Sequence, residues 1–289
     1  MGCVSSTVIG DISREKFLRL MQEEAVHEDC QLIVAVDGTS SNDLRRSGGS
    51  VNYHALSEQK NVKNPYELTL ELSSLLLSQS KDSDIPLYIF GTSEANRSRE
   101  TPGVYNAGTV HIHNGDPTPL VNLYRDTIRG QTLSGPTDFR PLLDIAIAHV
   151  DRTKQFTVLV IITDGVLTRG RLDHVAKLRL ASNYPLSVVA IGVGNARFDE
   201  MQHLDDCTGR RVDNFQFTAL RDVCSLERMR AMRNELFYRA FMEVPLQYRA
   251  FRRVLGYEPP MNVREERAEP GEYLVSASAP PECEGGEHM

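Results

Sequence analysis

No apolar run in these 289 residues approaches the about 20 that a membrane-spanning helix requires. The amino terminus shows neither the basic segment nor the apolar stretch of a secretory leader. Cysteine is scarce: Cys3, Cys30, Cys207, Cys224 and Cys283 are odd in number, and no two form a C-x-x-C pair. A RING or zinc ribbon needs Cys/His ligands in close pairs, so neither is expected within this sequence. Unpaired thiols at such spacings fit a reducing compartment. The phosphate-loop pattern G-x-x-x-x-G-K-[ST] and the nucleophile elbow G-x-S-x-G are both missing. Gly192-Val193-Gly194-Asn195 offers two of the three glycines of a dinucleotide loop, with no acid at the required distance. Positive charge is in deficit, 32 Lys and Arg against 39 Asp and Glu for a net charge of −7, which argues against nucleic acid as a partner.

What is present lies in three separated segments. They are Asp37-Gly38-Thr39-Ser40-Ser41, Gly135-Pro136-Thr137-Asp138-Phe139 and Thr163-Asp164-Gly165. The first and third each follow an apolar run, 32–36 and 158–162, of the kind that forms buried strands of a parallel sheet. Asp37 and Asp164 would then sit at carboxyl ends of strands, the edge where open α/β sheets bind ligands. Two carboxylates and several hydroxyls at that edge make an all-oxygen site, suited to a hard divalent cation such as Mg²⁺. Taken singly, Asp37 could equally be a turn or helix-capping residue. Asp138 reads as a further ligand or as the cap of a helix starting near Phe139.

The D-x-T-x-S pattern of Asp37, Thr39 and Ser41, with Thr137 and Asp164 downstream, resembles the metal-ion-dependent adhesion site of von Willebrand factor A-type domains. The segments VAVDGTSSN, NPYELTL, GPTDFRPLL, LVIITDGV, PLSVVAIGVGNARFDEMQHLD and FMEVPLQYRA, in this order over roughly residues 30–250, resemble the copine family more narrowly. The likeness is to the A domain of copines and of plant copine-like RING ubiquitin ligases. It implies an α/β fold, a doubly wound, mostly parallel sheet flanked by helices and Rossmann-like in its winding. It also implies that Asp37, Thr39, Ser41, Thr137 and Asp164 hold Mg²⁺ or Mn²⁺, the hydroxyls directly and the carboxylates directly or through water. A partner's acidic residue would complete the metal shell. The paired lipid-binding modules of copines and the RING of the plant ligases have no counterpart in this sequence.

The opening Met1-Gly2-Cys3-Val4-Ser5-Ser6 fits the acylation pattern M-G-x-x-x-[ST]. Myristoylation of Gly2 alone gives marginal membrane binding, and palmitoylation of Cys3 would supply the second signal. Residues 1–10 therefore read as an acylated arm that attaches the chain to the cytosolic face of a membrane. Residues 11–28 read as an amphipathic helix with Ile12, Phe17, Leu18, Leu20 and Met21 on its apolar side. The domain proper is expected over 30–256, with basic helices from 221 packed on the sheet. Residues 257–289 read as an acidic, disordered tail. Residues 92–118, polar and rich in Gly and Pro, read as a long irregular loop. His111 and His113 fall in it as solvated side chains without a third metal ligand of recognisable spacing, and Asp205-Asp206 reads as a solvated turn.

Two functional classes follow. The first is a non-enzymatic adaptor that binds proteins through its metal. The second is an enzyme. Residues 36–41 faintly resemble the D-x-G-T-[ST] phosphate loop of actin-like sugar kinases, one residue short, which would suit Mg²⁺-dependent phosphoryl transfer. A role in ubiquitin ligation beside a separate RING subunit is a further alternative.

Overall fold

The computed structural model describes residues 12–59, 62–77, 82–165, 167, 171–220 and 226–260. Gly2, Cys3 and most of the acidic carboxyl-terminal segment lie outside these residues. The apolar runs form strands β1 (Gln31–Asp37), β2 (Asp82–Phe90), β3 (Val104–His113), β4 (Thr157–Thr163), β5 (Leu186–Gly192) and β6 (Phe215–Ala219). The helices are α1 (Arg14–Glu23), α2 (Val26–Asp29), α3 (Pro65–Ser74), α4 (Ser93–Asn96), α5 (Thr118–Arg129), α6 (Arg140–Thr153), α7 (Arg171–Ala181), α8 (Asp199–Asp205), α9 (Leu226–Phe241) and α10 (Val244–Ala250).

The strands make one six-stranded sheet in the order β3-β2-β1-β4-β5-β6. All neighbours are parallel except β3, which runs antiparallel to β2. The chain winds outward from β1 in one direction and from β4 in the other. The winding therefore reverses between β1 and β4, and a crevice opens at their carboxyl ends.

Strands in the middle of such a sheet are apolar at every position because both faces are covered. Ile33, Ala35, Leu159, Ile161, Val188 and Ala190 face Leu142 and Ala146 of α6, Leu178 of α7 and Leu204 of α8. The alternate residues Leu32, Val34, Val36, Val158, Val160 and Ile162 join a second core with α1, α3, α5, α9 and α10.

Helix α3 starts where its sequence dictates. Asn64 Oδ1 accepts from Glu67 N at 2.9 Å, and Glu67 Oε2 accepts from Asn64 N at 2.8 Å, with Pro65 in the first turn. This reciprocal cap satisfies two donors that the first turn would otherwise leave open.

The amino-terminal segment departs from the single helix expected over 11–28. Ala25 adopts a left-handed conformation with φ 48°, which ends α1 and starts α2. Phe17, Leu20 and Met21 are buried at the i, i+3, i+4 spacing of one helix face. Leu18, assigned to the same stripe, is 42% exposed, because it points a quarter-turn away from that face. Phe17 meets Phe237 and Tyr238 of α9 edge-on, each at 5.8 Å between ring centres. Tyr248 of α10 and Tyr257 donate to Asp29 Oδ2 at 3.1 and 2.5 Å, so the chain packs through Tyr257 where composition suggested a tail had begun.

Residues 92–118 are not one irregular loop. They contain α4 and the edge strand β3. An antiparallel edge strand needs little apolar content, since its outer side is open to water, and its composition therefore imitates a loop. Ala107 is an extra residue opposite the Leu87/Tyr88 step, next to Gly108 at φ 123°, and this bulge bends the edge. His111 and His113 are exposed on β3 and bond to Asp84 and Asp82 across the strand pair at 2.8 and 2.6 Å. Asp205 is half-buried rather than solvated, and its carboxyl is pushed up to about 7, chiefly by burial.

Phe17 fills the seam between α1 and the carboxyl-terminal helices without any polar tie of its own. Phe17→Ala is expected to cost about 3–5 kcal/mol, as for buried aromatic truncations generally. Urea unfolding checks the value.

Candidate metal centre

Asp37 ends β1 and Asp164 follows β4, so the switch point of the sheet brings both carboxylates to one crevice. Asp37 is fully buried, and Asp164 is 2% exposed. After Asp37 the chain turns sharply. Asp37 Oδ1 accepts from Thr39 N at 2.9 Å, and Thr39 Oγ1 lies 2.9 Å from Ser41 Oγ. The two hydroxyls are thereby gathered beside the carboxylate. Asp37 Oδ2 accepts from Thr163 Oγ1 at 2.6 Å, and the same Thr163 oxygen accepts from Gly165 N at 3.0 Å. Thr163 thus joins the ends of β1 and β4.

Thr137 reaches this edge on a separate loop. That loop is stitched to the first by Ser40 N donating to Ser134 O at 2.7 Å and Ser134 N donating to Gly38 O at 3.3 Å. Thr137 and Thr39 are buried, at 2% and 3% exposure. Two glycines make the close approach possible. A Cβ on Gly91 would lie 2.3 Å from Thr39 Cγ2, and one on Gly165 would lie 2.0 Å from Phe198, both at positive φ.

The two carboxylates are costly as a pair of charges. Burial, and then the charge of Asp164, push the Asp37 carboxyl up to about 7 against the hydrogen bonds from Thr163 and Thr39 that lower it. Two like charges withdrawn from water oppose each other's ionisation. A divalent cation between them would relieve that repulsion, and its ligands would all be oxygens, as Mg²⁺ prefers. Among the described residues no three His, Cys, Asp or Glu side chains cluster to hold a metal. The Thr39 and Ser41 hydroxyls lie beside Asp37 as further oxygen donors, and Thr137 is carried on the adjoining loop. The donor set fits a hard divalent ion.

Asp138 turns away to another task. It pairs with Arg140 at 2.6 Å, lies 3.3 Å from His174 Nε2, and accepts from Arg140 N at the start of α6 at 3.1 Å. Burial raises its pKa, but the bonds from Arg140 and His174 outweigh that and hold the carboxyl well below the usual range.

Residues that sequence reasoning did not single out sit behind the crevice. Asn42, His54, Tyr66 and Tyr124 are all buried and hydrogen-bonded around the Asp37 turn. Burial pushes His54 down to about 4, so its ring is neutral. Asn42 and Tyr66 fall inside the copine-like segments VAVDGTSSN and NPYELTL, which was the available signal. His54 and Tyr124 fall outside every such segment.

The raised Asp37 pKa sets a pH dependence. The unfolded carboxyl ionises near 3.8, and the folded one holds its proton to about 7. Its contribution to stability is therefore complete below pH 4 and is lost as pH rises through 7. Asp37→Asn removes the buried charge. Metal-free Asp37→Asn is expected to melt above the metal-free wild type at pH 8, with the gap closing toward pH 4, as read by calorimetry in chelator.

Residues 52–260 match the copine family profile. The E3 ubiquitin-protein ligase RGLG3 of Arabidopsis thaliana is 35% identical over 246 residues, covering 78% of this chain and 65% of that protein. Copine-A of Dictyostelium discoideum is 29% identical over 261 residues, covering 82% of this chain and 40% of that one. The chain thus spans less than two thirds of the length of either relative. Among solved structures, a von Willebrand factor type A protein from Catenulispora acidiphila aligns with a TM-score of 0.45 at 11% identity, over 77% of this chain and 42% of that one. With most of its length inside the family profile, this chain belongs to the copine family.

Proposed function

We propose that this chain is a protein-binding adaptor whose carboxyl-edge crevice holds Mg²⁺ or Mn²⁺ and bridges through it to an acidic residue of a partner. Asp37, Thr39, Ser41, Thr137 and Asp164 would be the ligands. Mg²⁺ takes six oxygens and keeps some of them as exchangeable waters, so a carboxylate can enter without dismantling the site. The observation that carries this reading is the pair of buried carboxylates at the switch point of the sheet, with the Thr39 and Ser41 hydroxyls gathered beside them. A bound cation gives that arrangement a physical reason to exist. No nucleic acid is involved, and no catalytic residue is assigned. Myristate on Gly2 and palmitate on Cys3 would hold the adaptor at the cytosolic face of a membrane.

A second reading draws on the relatives named as E3 ubiquitin-protein ligases, which match this chain over 77–78% of its length. In that reading the adaptor presents a bound protein to a separate RING subunit.

The decisive experiment is a quantitative pull-down from detergent-solubilised membranes, with Mg²⁺, with chelator, and with Asp37→Ala. Proteins held by wild type in Mg²⁺ alone are the expected result, and a RING protein among them would favour the second reading. Identical captures in all three conditions would remove the metal bridge. In cells, Gly2→Ala is expected to move the chain from the membrane pellet to the supernatant on fractionation.

A further inference from the structure

The carboxylate of Asp37 is only as well aimed as the peptide that carries it. The Asp37 carbonyl accepts from two side chains, His54 Nε2 at 2.8 Å and Asn42 Nδ2 at 3.2 Å. The next amide, Gly38 N, donates to Phe90 O at 2.8 Å. Because a peptide group is planar, holding its carbonyl and its N–H fixes the Asp37–Gly38 plane and hence the direction in which the Asp37 side chain leaves the strand.

The proton positions along this chain of bonds follow from one fact. A carbonyl can only accept, so His54 carries its proton on Nε2. Its Nδ1 is then an acceptor, and Tyr124 Oη, 2.8 Å away, donates to it. Tyr124 Oη accepts in turn from Asn64 Nδ2 at 3.3 Å. Asn64 is the cap of α3, locked to Glu67, and Glu67 Oε1 accepts from Arg125 of α5 at 2.5 Å. Asn42 is oriented in the same way. Tyr66 Oη donates to its Oδ1 at 2.6 Å, which turns its Nδ2 toward the Asp37 and Thr39 carbonyls. The Tyr66 ring stacks on His54 at 4.1 Å between centres and 19° between planes.

We propose that His54, assisted by Asn42, is a positioning residue for the metal centre: it fixes the Asp37–Gly38 peptide against helices α3 and α5 and so aims the Asp37 carboxylate. The inference rests on the metal-binding reading above. Groups that orient metal ligands from behind typically change affinity about 10–100-fold when removed. Sites loosened by a fraction of an ångström lose function in the same way.

The test is Mn²⁺ affinity of the full chain by electron paramagnetic resonance, together with ¹⁵N-resolved NMR of the His54 ring in metal-free protein. His54→Phe keeps a stacked ring and removes the donor. His54→Gln restores an N–H near the same place. Phe17→Leu serves as a destabilised variant remote from the crevice. His54→Phe is expected to weaken Mn²⁺ binding about tenfold, His54→Gln to recover part of that loss, and Phe17→Leu to bind as wild type. Should His54→Phe fail to fold, Tyr124→Phe replaces it, with a smaller loss of affinity expected. NMR is expected to show the Nε2–H tautomer with a slowly exchanging proton. Wild-type affinity in a folded His54→Phe or Tyr124→Phe, or an Nδ1–H tautomer, would overturn the positioning role while leaving the metal centre standing. A wild type that binds no Mn²⁺ would overturn both.

Discussion

Two carboxylates buried together at the end of a parallel sheet are the constraint around which the rest of this structure is arranged. Water would stabilise Asp37 and Asp164 as charges, yet both are withdrawn from it. Among the described residues, hydroxyl and amide donors are what bond to Asp37. Thr39 N and the Thr163 hydroxyl each give Asp37 a single hydrogen bond. Two carboxylates so placed oppose each other's ionisation, and a proton or a cation relieves the pair.

The geometry at the crevice follows from sheet topology more than from local sequence. Asp37 and Asp164 are 127 positions apart, and only the reversal of winding between β1 and β4 brings them together. The glycines then decide how close the loops can come. Gly91 admits the Thr39 methyl, and Gly165 admits Phe198. The Ser134 loop bonds to Gly38 and Ser40 and closes the third side. Each contact links segments that are distant in sequence, so loosening one would be felt across the edge.

Much of this was legible beforehand because buried parallel strands announce themselves. The runs 32–36 and 158–162 could hardly be anything else, and an aspartate at the end of each puts two carboxylates at one edge of the sheet. The copine-like wording pointed to the hydroxyls. Other parts were illegible for physical reasons. Strand β3 is polar because its outer edge is wet, and its bulge and Gly108 make it read as loop. The break at Ala25 leaves no glycine or proline to mark it. The His54 relay is assembled from single polar residues separated by 17 to 70 positions, and no periodicity reports such contacts.

The assignment of β3 also narrows where selectivity can reside. A long irregular stretch over 92–118 would have offered a flexible surface beside the crevice. Instead, residues 104–113 are tied into the sheet, and 91–103, holding α4, and 114–117 remain as short connections. The first of these is itself restrained, because Asn96 Nδ2 donates to Gly135 O at 2.6 Å and Thr92 Oγ1 donates to Gln131 at 2.7 Å. Opposite it, residues 40–47 form two 3-10 turns in which Arg45 pairs with Asp43 and Arg46 reaches Leu133 O. The rim of the crevice is therefore built from short, mutually bonded turns. A partner that meets such a rim gains little by reshaping it, and binding without a large ordering cost favours shape and charge complementarity over induced folding. Arg45 and Arg46, both in the second of these turns, are the exposed charges on this side of the rim.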